Sequence, residues 1–167
     1  MAARDADPID PGVDIGHVHL KVADVDRALD FYCGVLGFEL MQRYGEDAAF
    51  ISAGGYHHHI GLNSWESKGG SPPPPGTTGL YHTAIRYPSR RSLADALRRV
   101  TAGGISLTGA SDHGVSEALY LDDPDGNGVE LYWDRPRDEW PEPKPGQKVE
   151  MFVRPLDVPG LMAELDS

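Results

Sequence analysis

Three things are scarce in this 167-residue chain, and each scarcity removes a class of reading. Cysteine occurs once, at Cys33, so no internal disulfide can form and a reducing cytoplasm is the expected location. Cys33 stands beside Phe31 and Tyr32 in a helical pattern and reads as core filler, not as a nucleophile. Basic residues are outnumbered: 15 Lys and Arg against 26 Asp and Glu give a formal net charge of −11. That is the wrong sign for nucleic acid or an anionic membrane as partner. Long apolar runs are missing as well. The opening M-A-A-R-D-A-D-P-I-D-P-G contains none, so neither a signal peptide nor a membrane span is expected. What remains, 40% hydrophobic and 25% charged, suits a globular domain, or two small modules sharing a core.

Taken in order, residues 1–13 read as an Asp- and Pro-rich arm. Ile15 to Val22 alternates as a strand does, with Val18, Leu20 and Val22 on one face and His17, His19 and Lys21 on the other. Asp24 caps a helix whose stripe is Val25, Ala28, Leu29, Tyr32 and Leu36, and Gly37 fits just past its end. Strands are expected at 39–44 and 48–53. Another is expected over Tyr56 to Asn63, on the far side of Gly54-Gly55. Residues 67–78 carry four consecutive prolines between glycines, a stiff extended linker. Then the pattern restarts. Leu80 to Tyr87 is a strand with His82 where His17 stood. Ser89 caps a helix through Leu93, Ala96, Leu97 and Val100, which Gly103-Gly104 ends. A short strand at Ile105 to Thr108 and a hairpin turning on Pro124 to Gly128 complete a second βαβββ unit. The fold class expected is α+β: an arm (1–13), one βαβββ module (14–66), the linker (67–78), a second βαβββ module (79–134) and a tail (135–167). The internal repeat implies that the modules pair into a curved mixed sheet around a cavity. In the tail, Trp140 reads as an anchor and Val158 to Leu165 as a turn or two of helix.

On alternation alone, His17, His82 and Glu130 project from the sheet faces opposite their helices. A strand histidine by itself is ordinarily structural. Three such residues at repeat-related places point instead to a metal, since a carboxylate inside a core-like strand needs a partner. Two imidazoles and one carboxylate with open coordination positions suit Fe(II); Mn(II), Zn(II) and Ni(II) are alternatives. His19 shares a face with His17. The run His57-His58-His59 lies inside an expected strand, and alternation sets His59 on the cavity face.

The paired modules resemble the vicinal-oxygen-chelate superfamily, which holds glyoxalases, bleomycin-resistance proteins and type I extradiol dioxygenases. The phrase H-V-H-L-K-V-A-D-V-D-R-A-L-D-F-Y-C-G-V-L-G-F is similar to that superfamily's opening strand and helix. The stretch with His113, Leu119-Tyr120, Asp123-Pro124, Gly126 and Glu130 resembles the extradiol ring-cleavage signature, departing from it at Ser111. The branch most resembled is that of catechol 2,3-dioxygenase. The resemblance implies iron ligands at His17, His82 and Glu130, a proton- and oxygen-handling histidine at His58, and a catechol-binding pair at His113 and Tyr120. It implies a cytoplasmic enzyme of aromatic-compound breakdown that takes a small aromatic diol and O2. The tail's P-L-D-V-P-G-L-M-A-E-L is similar to the connector leading into a second module pair in longer relatives, which implies a homodimer here. Two other classes stay open. One is a glyoxalase-like isomerase or lyase using Zn, Ni or Mn, with His59 as a fourth ligand. The other is a metal-free protein that sequesters an antibiotic.

Overall fold

The structure, a computed structural model, describes residues 7–166; the first six residues of the expected arm, and Ser167 of the tail, lie outside the described residues. Two βαβββ modules follow one another. The first comprises β1 (Val18–Lys21), α1 (Val25–Leu29), β2 (Glu39–Tyr44), β3 (Ala48–Ser52) and β4 (Ile60–Asn63). The second comprises β5 (Thr83–Arg86), α2 (Arg90–Ala102), β6 (Gly109–Asp112), β7 (Ser116–Asp122) and β8 (Gly128–Asp134). In each module the first and last strands pair in parallel and the rest run antiparallel, giving the orders β1-β4-β3-β2 and β5-β8-β7-β6. The repeat read from the sequence is thus a repeat of topology. Its hydrogen bonds form two mixed sheets, of four and five strands, rather than one continuous ladder. Among the described residues no helix is long and apolar enough to cross a membrane.

Local chemistry explains the helices. The Asp24 side chain accepts from the Arg27 amide at 3.0 Å and starts α1. The helix continues as a π-helical turn, Asp30–Val35, in which the Leu36 amide reaches back to the Phe31 carbonyl. Ser89 and Ser92 exchange reciprocal capping bonds at the start of α2. The buried stripe of α2 is Leu93, Ala94, Ala96, Leu97 and Val100. These side chains join Val22, Tyr32, Ile51 and Leu62 from the first module and Leu119, Leu121 and Leu131 from the second in one core. A further tie fixes the modules together. The Tyr32 hydroxyl donates to Asp123 Oδ2 at 3.0 Å in the interior, and Asp125 Oδ1 accepts from the Ala23 amide and from Arg27. The β7–β8 turn is therefore fastened to the β1–α1 junction.

Four expectations are corrected. His17 and His82 stand one residue before β1 and β5, not within them. The strand expected over Tyr56 to Asn63 begins only at Ile60, because Gly54 and Gly55 turn the chain at positive φ and residues 56–58 swing out before it rejoins the sheet. The strand expected at Ile105 to Thr108 lies instead at Gly109–Asp112. Ile105 is spent closing α2, its amide bonding to the Val100 carbonyl, and Ile105 and Leu107 pack on the core. Finally, the tail, expected to add only an anchor and a turn or two of helix, also adds a strand. Arg154–Pro155 forms β9 on the edge of β6, and α3 (Val158–Ala163) buries Leu161 completely. Arg90 ties α3 in place: its Nε bonds to Glu117 at 2.8 Å and its Nη1 to Glu164 at 2.7 Å. Glu117 is 3% exposed and also bonds to Arg135. Either arginine alone still pairs with Glu117, so removing one should cost less than a buried charge left with no partner, which costs about 3–5 kcal/mol. Trp140 does anchor its segment, its indole N–H donating to the Arg135 carbonyl.

Candidate active site

The antiparallel register of β7 and β8 sets Tyr120 directly opposite Glu130, and the parallel register of β5 and β8 sets Ala84 beside it. Side chains opposite one another share a face. On that face a hydrogen-bonded series runs across the sheet. His82 Nε2 lies 2.9 Å from Glu130 Oε2, the Tyr120 hydroxyl donates to Glu130 Oε1 at 3.1 Å, and His113 Nε2 is 2.7 Å from the Tyr120 oxygen. Burial, and then the Glu130 carboxylate beside it, push the Tyr120 phenol up to about 12. Tyr120 is accordingly a proton donor at neutral pH. Gly128 makes the His82 approach possible: a Cβ there would collide with the Tyr81 carbonyl and crowd His82.

The first module's histidines gather separately. His17 is exposed, with the His58 ring 4.3 Å and the His57 ring 6.4 Å away, centroid to centroid. Phe50 meets the His58 ring edge-on at 5.1 Å. Burial, and then the neighbouring His17 and His57, hold His58 below the usual histidine range. His19 lies over Gly61, the position where a Cβ would strike its ring. His59, which alternation set on the cavity face, has a ring nitrogen engaged at the end of β3. Its Nδ1 takes hydrogen bonds from Ser52 Oγ at 3.0 Å and the Ala53 amide at 3.3 Å. The late start of β4 at Ile60 also leaves His58 beside His17.

A metal can be tested against these positions. Two donor atoms held cis on one ion at bonds of about 2.1 Å stand about 3 Å apart. His82 Nε2 and Glu130 Oε2, at 2.9 Å, meet that spacing. A ring that ligates through Nε2 carries its proton on Nδ1; that atom of His82 is buried with no hydrogen-bond partner among the described residues. His17 is not drawn into this pair. Among the described residues no three His, Cys, Asp or Glu side chains stand close enough to hold one ion. The residues present thus fit a metal as a pair, with the third expected donor outside it.

A concavity of about 740 Å³ lies elsewhere, lined among others by Asp24, Arg27, Arg43 and Lys68. Its three cations each pair with a carboxylate, at 2.6 to 2.9 Å. Two contributors to the candidate site escaped the sequence reading. Gly128 was visible only as a turn residue. The Phe152 carbonyl, 3.0 Å from His113 Nδ1, comes from the tail, and no residue type announces a backbone atom.

Comparison with known proteins adds the family. The model of the Glyoxalase/Bleomycin resistance protein/Dioxygenase superfamily matches residues 14–131. A catechol-2,3-dioxygenase of Bacillus subtilis is 40% identical over 151 residues, covering 90% of this chain and 51% of its own length. That match is too long to stop at residue 131 and takes in part of the tail. A biphenyl-2,3-diol 1,2-dioxygenase of Rhodococcus globerulus is 33% identical over 118 residues, 71% of this chain and 61% of its own. The chain thus spans about half to three fifths of the length of these relatives. Among solved structures, a glyoxalase/dioxygenase from Nostoc punctiforme superposes with a TM-score of 0.63 at 20% identity, over 78% of this chain and 99% of that one.

Proposed function

The chain belongs to the glyoxalase/bleomycin resistance protein/dioxygenase superfamily, and we propose that within it this protein is an extradiol dioxygenase that cleaves a catechol-type ring with O2 and Fe(II). The observation that carries the proposal is the series His82–Glu130–Tyr120–His113, whose contacts of 2.9, 3.1 and 2.7 Å join four side chains on one sheet face, the grouping that an ion-holding pair beside a proton-handling pair would need. The two relatives described above, both diol or catechol dioxygenases by name, support the same class.

In this reading His82 and Glu130 hold the iron and His17 is the third donor. A ferrous ion supplies Lewis acidity towards the diol's hydroxyls and electron exchange with dioxygen. The chain's own residues do the rest. Tyr120 keeps its proton at neutral pH and offers it to an anionic substrate oxygen. His113, hydrogen-bonded to Tyr120, takes up or returns that proton. His58, lowered from the usual histidine range by burial and then by its histidine neighbours, is the base for a diol proton. The half-buried position of Tyr120 and Glu130 strengthens each of these hydrogen bonds relative to bulk water.

The family's glyoxalases set the rival reading, an isomerase or lyase with a fourth protein ligand at His59. The engagement of His59 Nδ1 by Ser52 and Ala53 weighs against it. The deciding experiment loads anaerobically purified protein with Fe(II), adds a panel of catechols, and follows oxygen uptake together with the yellow ring-opened product. Stoichiometric uptake is expected. Bound iron without uptake for any diol would overturn the dioxygenase reading in favour of the isomerase.

A further inference from the structure

The tail reaches the candidate site through a backbone atom. His113 Nδ1 lies 3.0 Å from the Phe152 carbonyl, while the Phe152 amide donates back to the His113 carbonyl at 3.3 Å. A carbonyl oxygen only accepts, so Nδ1 carries the ring proton in this contact. Nε2 is then unprotonated, and at 2.7 Å from the Tyr120 oxygen it accepts the phenol proton, which the hydroxyl gives to Nε2 or to Glu130 Oε1 but not to both at once. We propose that the Phe152–Pro155 segment is a positioning strap for His113, whose carbonyl fixes the ring's tautomer and aims Nε2 at Tyr120. This rests on the reading of His113 and Tyr120 as the proton-handling pair.

Several independent contacts hold the strap where the carbonyl is needed. Asp112 pairs with Arg154 and Ser111 with Pro155, directly before His113 in the chain. The Phe152 ring seats on Gly114: a Cβ there would lie 2.6 Å from Phe152 Cε1 and 2.8 Å from Pro141 Cγ, and the backbone is at φ +78. Only glycine combines that conformation with that approach. The Arg154 guanidinium lies over the ring, 4.0 Å from its centroid. Beyond it, Leu161 and the Arg90–Glu164 pair dock α3 against α2 and keep the segment from leaving. A histidine free of such a partner samples both tautomers; one whose Nδ1–H is engaged by a backbone carbonyl does not.

The test uses the full-length, metal-free protein and compares Phe152→Ala with the conservative Phe152→Leu. Nitrogen-15 NMR of the His113 ring, assigned with His113→Phe, should show a protonated Nδ1 in the native protein and in Phe152→Leu. In Phe152→Ala it should show loss of that single tautomer. A native ring protonated on Nε2 alone would overturn the proposal whatever the variants do, and so would an unchanged Nδ1 proton in a folded Phe152→Ala. This readout stands even if no catechol is cleaved, so failure of the dioxygenase reading is told apart from failure of the strap. With a cleaved catechol in hand, Phe152→Ala should lower kcat about tenfold, a part of the roughly 10²–10⁴ that positioned acid–base groups supply. KM should change little. In the His113→Phe background the same substitution should lower kcat less than about twofold, as a shared route demands. An equal loss in both backgrounds would mean that Phe152 acts on the fold alone.

Discussion

His17 and His82 hold the same place in their modules, one residue before the first strand, yet their surroundings are opposite in kind. Register makes the comparison exact position by position. His19 faces Gly61 and Phe50 faces Gly61 in the first module; Ala84 faces Glu130 and Tyr120 faces Glu130 in the second. Glu130 thus stands where the first module has glycine, and Tyr120 where it has Phe50. The large side chain has changed strands. In the first module the His19 ring fills the space over Gly61, and in the second the Ala84 methyl leaves that space to a carboxylate. One duplicated frame has been divided into an aromatic half, His17, His58 and Phe50, and a hydrogen-bonded half, His82, Glu130 and Tyr120. The difference teaches that the second module holds four side chains already joined by hydrogen bonds, whereas the first holds a group of aromatic rings outside that series.

The sharpest way to break this comparison is to remove the equivalent histidines in turn. His82→Ala should lower iron affinity by about 10²-fold or more, beyond what outer-sphere changes cost a metal site. His17→Ala, removing the donor that stands outside the organised pair, should lower it by about tenfold. Metal titration of both variants checks the ranking. Equal losses would show that the two modules close on the ion alike, and unchanged affinity in His82→Ala would remove the ligand assignment. A smaller effect separates the equivalent aromatic positions. Tyr120→Phe should retain iron but lower kcat by about 10²-fold, within the range for a positioned acid. Phe50→Leu should act on KM and leave kcat within a factor of about two, because an apolar wall binds ground and transition states alike. The same kcat loss in both variants would erase the division into two halves.

These tests also show which parts of the molecule were legible in advance. The tandem modules were, because strand alternation and the Asp24 and Ser89 caps are written in neighbouring residues. Glu130 was, because a carboxylate in a strand of Val129, Leu131 and Trp133 demands an explanation at once. Strand ends were less so. That His58 comes to stand beside His17 depends on two glycines at positive φ that turn the chain before β4, a feature alternation ignores. The β9 strand was hidden for another reason: Arg154 and Pro155 have no strand pattern and pair only because α3 delivers them to the β6 edge. Least legible was the distance between the two donor groups. It depends on how one module rests on the other, through contacts such as Tyr32–Asp123 that join residues far apart in sequence.

The smallest effect expected comes from the aromatic half's excess of imidazoles. Burial first, then His17, His57, His19 and His59, hold His58 below its ordinary value; burial and then His17 do the same to His19. Well above the ordinary histidine value of about 6.5, neither the folded nor the unfolded chain protonates these rings, and they do not affect stability. Below it the unfolded chain takes up protons that the folded chain resists, so stability should fall as the pH is lowered through that value. Urea unfolding of the metal-free protein at about pH 7.5 and about pH 5.5, either side of that value, should show a lower midpoint at the acid end. His58→Asn should reduce the drop, since it removes the ring with the most histidine neighbours. A drop of the same size in His58→Asn as in the native protein would place the acid sensitivity outside the imidazole cluster and dissolve this last contrast between the modules.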